Sequence, residues 1–223
     1  MKAMILSAGF GTRLKPLTND TPKALIKYKG SPMIDQQIER LKNANITEIT
    51  VNAHHLHEKI SDYFFKNDFG VKINVIIEKD ILGTGGGILN AEKYFYNEDS
   101  FLVINADIDT DINLTDLIKH HSLTDSFATL AVQKRKSKKY LEFDKGMLLK
   151  GRENNSSSPD DLYAFNGIHV ISKRIFLKRY EVKFSNILDL YFDAISSGGR
   201  EFVTGYDSGT SVFKDLGKKE NLQ

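Results

Sequence analysis

Cysteine is absent from this 223-residue chain, which excludes a disulfide framework, a thiolate nucleophile and a zinc site with sulfur ligands. Tryptophan is absent too, and only four prolines occur, at positions 16, 22, 32 and 159. Charge of one sign is not in excess: 31 Lys and Arg face 29 Asp and Glu, a net of +2. That balance argues against a nucleic-acid partner. The one dense basic stretch, Lys134-Arg135-Lys136 followed by Lys138-Lys139, reads as a solvated loop. No apolar run approaches the roughly 20 residues of a membrane helix, so no membrane partner is expected. Met1 to Ala8 is too short for a signal peptide and runs into a glycine turn, which fits a cytoplasmic protein. What is present is ordinary for a globular chain, with 40% hydrophobic residues.

The apolar pattern alternates between strand and helix through the first half. Met4-Ile5-Leu6 is a short buried run ending at Ser7-Ala8-Gly9. Residues 10 to 23 have no periodicity and form a long loop, which in a compact domain is usually functional. Pro32, with Ser31 as cap, is placed as the first residue of a helix carrying Ile34, Ile38 and Leu41. Ile49, Val51 and Ala53 alternate as a strand. Leu56, Ile60, Tyr63 and Phe64 give a helix face, and Val71, Ile73 and Val75 alternate again. The cluster Gly83 to Gly87 is expected to precede a helix reaching Phe95, and Phe101 to Ile104 is a fourth buried strand ending at Asn105-Ala106-Asp107.

The second half is less regular. It offers a hairpin turning at Asp144-Lys145-Gly146, a strand over Phe165 to Ile171 and a helix capped by Ser185. Short strands follow at Phe202-Val203 and Ser211 to Lys214. Strand alternating with helix predicts a mostly parallel sheet covered on both faces, with ligands at the carboxyl ends of the strands. The glycine turn at residue 9, the glycine run and Asp107 all follow strands. With no repeat and no linker, one domain over 1–223 is expected.

Gly9-Phe10-Gly11-Thr12-Arg13 has the composition of an anion nest, where glycine lets backbone N–H groups approach phosphate and Arg13 adds a planar cation. The P-loop and dinucleotide patterns both fail, the latter because Leu14 stands where its third glycine belongs. Pro16-Leu17-Thr18 and Pro22-Lys23 continue the loop, and Lys23 closes it facing the same phosphates. Asp107, Asp109 and Asp111 do not make a calcium loop, since Ile112 and Ile118 occupy its glycine and glutamate positions. Asp107, nearest the strand end, is the candidate magnesium ligand, while Asp109 is expected only to shape the loop. Glu78 and Thr84 flank the glycine run, which reads as a surface for a nucleobase. His54-His55-x-His57 lacks the partners of a zinc site and reads as a loop or pocket wall.

The run Gly9-x-Gly11-Thr12-Arg13-x-x-Pro16-Leu17-Thr18-x-x-x-Pro22-Lys23 resembles the signature of the sugar-1-phosphate nucleotidyltransferases. The resemblance continues through Gly83-Thr84-Gly85-Gly86-Gly87, Asn105-Ala106-Asp107, Phe165-Asn166-Gly167-Ile168 and Asp215-Leu216-Gly217. Two departures are Ala106, where the family usually has glycine, and Phe213, near which many members carry tryptophan. The resemblance implies an α/β, Rossmann-like, three-layer (GT-A-like) fold with a mixed, mostly parallel central sheet. It places nucleotide binding in about residues 1–112 and sugar binding in about 113–223. It further implies magnesium-dependent reaction of a nucleoside triphosphate with a sugar 1-phosphate, supplying precursors of cell-wall or surface polysaccharide, by a monomer or homodimer.

Carried onto this chain, the resemblance implies Arg13 and Lys23 as catalytic cations and Asp107 and Asp215 as metal ligands. Nucleotide contacts fall on Ser7, Ala8, Gly9, Gly11, Thr12, Arg13, Lys23, Glu78, Thr84 and Gly85, and sugar contacts on Asn105, Glu153, Asn166 and Gly167. Thr84-Gly85-Gly86-Gly87-Ile88 resembles N-acetylmuramate 1-phosphate uridylyltransferases, which makes uridylyl transfer the first expectation. Gly83-Thr84-Gly85-Gly86 resembles mannose- or heptose-1-phosphate guanylyltransferases, the alternative. More distant readings are a metal-dependent glycosyltransferase and a non-catalytic nucleotide-binding module.

Overall fold

Two apolar spacings build the first half of the computed structural model, which describes residues 1–197 and 200–222. Strand β1 (Ala3–Leu6) leads through the long loop to a two-residue ribbon, β2 (Lys27–Tyr28) with β3 (Ser31–Pro32), and then to α1 (Met33–Asn43). Pro32 is not the first helical residue. It is the residue before it, at ψ 143°, and pairs with Lys27; no side chain caps the helix there. The turn at Lys29 (φ 51°) and Gly30 (φ 89°) folds residues 31 and 32 back as extended chain, so the helix starts later than the proline suggests.

Strand β4 (Glu48–Ala53), α2 (His57–Lys66), β5 (Lys72–Ile77), α3 (Gly83–Asn90), α4 (Glu92–Phe95) and β6 (Ser100–Asn105) complete this half. Beyond it come β7 (Ile108–Thr110), α5 (Leu114–Thr124), β8 (Ala128–Gln133), β9 (Leu141–Phe143) and β10 (Leu149–Arg152). Last come β11 (Leu162–Ser172), α6 (Arg174–Leu177), α7 (Ile187–Ser196), β12 (Val203–Asp207) and β13 (Phe213–Asp215).

The nine-stranded sheet is mixed. Strands β6, β1, β4 and β5 lie side by side and parallel; antiparallel β11 joins β6 to β8, and β12 runs parallel to β8. Alternate residues of each central strand feed separate cores. Ala3, Ile5, Leu102 and Ile104 pack with Ile34, Ile38 and Leu41 of α1, whereas Met4, Phe101 and Val103 pack with Phe95 and Tyr191 on the other face. Burial on both faces also explains why Thr50 and Asn52, at the polar positions of β4, are as buried as its apolar ones. No described helix is long and apolar enough to cross a membrane.

The glycine run is not a turn ahead of a helix; it forms α3 itself. Helical glycine costs about 1 kcal/mol against alanine, and the compensation is close packing. A β-carbon at Gly85 would stand 2.6 Å from Ser185 Oγ, and one at Gly86 only 2.1 Å from the Lys183 carbonyl oxygen. Ser185 is therefore occupied with residues 82–85, accepting from the Gly85 N–H at 2.9 Å and donating its own N–H to the Leu82 carbonyl. The cap of α7 is Asn186, whose side chain accepts from the Leu188 N–H, rather than Ser185.

Candidate functional site

Chain order places the site before any side chain does. From β1 the sheet grows one way through β4 and β5, and then β6 returns to the other side of β1. The carboxyl ends of β1 and β6 flank that reversal, the position where open α/β sheets bind ligands. A cleft of about 200 Å³ opens there, lined by Ser7, Ala8 and Gly9 after β1 and by Asn105 and Asp107 after β6, with Lys23, Gly83 and Thr84 completing it.

The first wall is held by a buried polar chain. Ser7 donates its N–H to Asn52 Oδ1 (2.8 Å) and its hydroxyl to the Asn52 carbonyl; Asn52 Nδ2 donates to Glu78 Oε1 (2.7 Å). Glu78 Oε2 accepts the Leu82 N–H at 3.1 Å. Glu78 is 2% exposed and both its oxygens are engaged, so it ties the turn after β1 to the start of α3 instead of facing the cleft. Gly85 is likewise buried behind the cleft. Thr84 lines the cleft, but its hydroxyl accepts the Ile187 N–H at 3.0 Å. The glycine run therefore packs α3 against the chain entering α7, with Gly83 and Thr84 at the cleft.

The loop after Gly9 is braced from within. Gly11 is left-handed (φ 63°), its carbonyl accepts the Thr18 hydroxyl at 2.9 Å, and a β-carbon there would lie 2.7 Å from Thr18 Cγ2. Thr12 and Arg13 begin a short helical turn pinned by buried Leu14. Two ion pairs join this loop to the acids: Lys23 Nζ with Asp107, and Arg13 Nη1 with Asp215 Oδ2 at 3.0 Å.

Asp107 and Asp215 are 108 positions apart but adjacent in space. The ribbon β7–β13 pairs Asp215 with Ile108, and the Leu216 N–H donates to the Asp107 carbonyl at 2.8 Å. Gly217 lets the groups converge, since a β-carbon there would be 2.5 Å from Arg13 Nη2, 2.8 Å from Asp107 Oδ2 and 2.9 Å from Asp215 Oδ1. Two converging carboxylates suit a hard divalent cation that takes its remaining oxygens from phosphate and water. Among the described residues no group of three or more His, Asp or Glu gathers as a metal site.

Asp109 has a different fate. It is 5% exposed and accepts from Tyr28 (3.1 Å), Lys29 (2.8 Å) and Arg40 (2.7 Å). Burial pushes its pKa up, but hydrogen bonds from Lys29, Tyr28 and Arg40 outweigh that and hold the carboxyl below its ordinary range.

The sugar-side expectations divide. Asn105 is in the cleft wall, and Gly167 (φ 73°) packs on it so closely that a β-carbon would be 2.5 Å from Asn105 Nδ2. Asn166 is buried just behind, with Oδ1 accepting from Arg135 and Nδ2 donating to Ser208 Oγ. Glu153 is not brought to the cleft; it is exposed beyond the end of β10, its N–H bonded to the Tyr140 carbonyl. His54 Nδ1 donates to the Glu78 carbonyl (2.9 Å), and the rings of His54 and His55 pack against Phe10.

Two residues, one in the cleft wall and one holding Asn166 behind it, escape sequence reasoning. Asn52 carried a usable signal, an amide within an apolar strand. Arg135 carried none, since it lies in a run of exposed lysines.

The nucleotidyl transferase family profile matches residues 2–147. A mannose-1-phosphate guanyltransferase of Gibberella zeae is 35% identical over 137 residues, covering 60% of this chain and 38% of that protein. Another, of Aspergillus fumigatus, is 31% identical over 214 residues, covering 90% of this chain and 57% of that protein. The chain thus spans well under two thirds of the length of these curated relatives. Among solved structures, HddC from Yersinia pseudotuberculosis superposes with a TM-score of 0.79 at 25% identity, over 99% of this chain and 95% of that one. A putative glucose-1-phosphate thymidylyltransferase from Bacillus anthracis gives 0.84 at 22% identity, over 100% and 92% respectively, a likeness of fold.

Proposed function

Because the chain belongs to the nucleotidyl transferase family, whose profile covers residues 2–147, we propose that it joins a nucleoside triphosphate to a sugar 1-phosphate and releases pyrophosphate. The observation that carries this reading is the convergence of Arg13, Asp107 and Asp215 around Gly217, with Lys23 paired to Asp107, at the sheet reversal. Guanylyl transfer to mannose 1-phosphate is the favoured reaction, because the similar curated proteins carry that name. It displaces uridylyl transfer to N-acetylmuramate 1-phosphate as the first expectation. Gly85, Gly86 and Gly87 of the run that suggested uridylyl transfer are buried packing, and only Gly83 and Thr84 reach the cleft.

The acceptor phosphate is ionised at neutral pH and needs no protein nucleophile. One of its oxygens bonds to the α-phosphorus while the bond to the β-phosphate oxygen breaks, and pyrophosphate leaves. Catalysis is then positioning and neutralisation of negative charge. Ser7 to Gly11 receive the triphosphate, Lys23 bridges its phosphates, and Arg13 holds the departing pyrophosphate in a two-pronged contact. Each cation exchanges its carboxylate for phosphate oxygens as substrate enters. Asp107 and Asp215 would hold magnesium, which would supply charge neutralisation at the α-phosphate. Residues 1–112 serve the nucleotide and 113–223 chiefly the sugar, Asp215 excepted.

The test is a matrix of four triphosphates against sugar 1-phosphates, including mannose and N-acetylmuramate 1-phosphates, read by pyrophosphate release. Release with GTP and mannose 1-phosphate is expected. Release only with UTP and N-acetylmuramate 1-phosphate would restore the first expectation. Nucleotide binding without release from any pair would identify a non-catalytic module.

A further inference from the structure

The lysines between 134 and 139 are exposed, but Arg135 is half-buried. Its Nε donates to Asn166 Oδ1 and its Nη2 to the Phe165 carbonyl, each at 3.0 Å, and its guanidinium carbon lies 3.8 Å above the Phe213 ring centroid. Asn166 is itself oriented by Ser208, to which its Nδ2 donates at 3.1 Å. Two hydrogen bonds and a stacked ring thus fix the guanidinium plane before any ligand arrives.

What fixes it is neutral. Arg13 and Lys23 each face a carboxylate, whereas among the described residues Arg135 has no ion pair, and its Nη1 makes no hydrogen bond. Burial lowers the pKa of this guanidinium, and the nearby Asp215 carboxylate partly opposes that. Holding a partly desolvated cation without a counter-ion is costly. A planar fork with free N–H groups matches phosphate oxygens.

Its position says which phosphate. Phe213, beneath the guanidinium, lies two residues before Asp215 in β13. Asn166, which holds it, precedes Gly167, whose backbone packs on Asn105 in the cleft wall. The cations of the first-half loop serve the triphosphate. The acceptor brings a second multiply charged phosphate toward the first, and that approach requires a cation of its own. We infer that Arg135 binds the phosphate of the sugar 1-phosphate and sets its approach. The inference rests on the transfer reaction proposed above.

Steady-state kinetics with GTP and mannose 1-phosphate test it, since that sugar has no anion besides its phosphate. Arg135→Ala should raise KM for mannose 1-phosphate by about tenfold or more, the scale for loss of a charged hydrogen bond. KM for GTP should stay within about twofold, and Arg135→Lys should fall between wild type and Arg135→Ala. Arg135→Lys keeps the alkyl stem packed and serves if Arg135→Ala does not fold. Active wild-type protein with an unchanged KM for mannose 1-phosphate in both variants would overturn the inference. So would a parallel rise in both KM values with a fallen melting temperature, which marks a structural role. Wild-type protein inactive with every pair in the matrix would overturn the transfer reaction itself, and this inference with it.

Discussion

Asp107 and Asp109 are two residues apart at the same strand end, yet the molecule uses them oppositely. Asp107 meets Lys23 at the edge of the cleft and shares the space beside Gly217 with Asp215 and Arg13. Asp109 points into the body of the protein, where a phenol, an ammonium and a guanidinium occupy it. The strand pleat sends residues two apart to one face only if the strand begins before both; here β7 begins at Ile108 and leaves Asp107 in the turn. An acid with one partner and an open side can exchange that partner for a ligand. An acid with three donors is part of the frame.

The sharpest way to break this comparison is activity. Asp107→Asn should lower turnover by about two to three orders of magnitude, the scale for removing one preorganised charge-stabilising group. Asp109→Asn should leave turnover within about tenfold. Equal losses, measured by pyrophosphate release on folded protein, would abolish the distinction.

Stability should reverse the order. Asp109→Asn leaves Arg40 without its carboxylate and should cost about 2–3 kcal/mol by chemical denaturation. Asp107→Asn should cost less. The pH dependence has a definite sign. Asp109 has a folded pKa below its unfolded one, so its contribution is complete above the unfolded value, near about 4. That contribution is lost as pH falls through the lower folded value. Wild type and Asp109→Asn should therefore converge in stability in acid and separate toward neutrality. A constant difference across that range would remove ionised Asp109 from the account.

A smaller effect separates packing from recognition in α3. Gly86→Ala would set a β-carbon 2.1 Å from a backbone oxygen and should destabilise by about 1–3 kcal/mol through overpacking. The preference among triphosphates should not change. A changed preference with normal stability would return the glycine run to base reading.

The smallest effect concerns the ion pairs. Lys23→Ala removes the cation beside Asp107, so manganese should bind the nucleotide-free variant several-fold more tightly than wild type, as followed by electron spin resonance. Weaker or equal binding would show that Lys23 does not compete for that carboxylate.

Legibility followed range along the chain. The buried strands β1 and β4, the helix face of Ile34, Ile38 and Leu41, and the hairpin at Asp144 to Gly146 were readable because their signals repeat within a few residues. The cap at Ser185 and the helix start at Pro32 were misread because a distant or folded-back partner claimed the local group. Glu78 reads as a ligand-facing acid in sequence, and only Asn52 and the Leu82 N–H reveal it as occupied.

By itself the sequence determined an α/β chain with a rigid glycine and proline loop, two cations on that loop and an acid at a strand end. Those properties depend on backbone sterics and on apolar periodicity, which act over a turn or a strand. Residue spacing gave no sign that Asp215 stands beside Asp107, which only the family resemblance implied; tertiary structure alone decided that Gly217 must lack a side chain between them and that Arg135 is held over Phe213 with no ion pair among the described residues. The reason is physical: strand pairing and burial set these relations, and both join residues whose separation along the chain carries no trace of their distance in space.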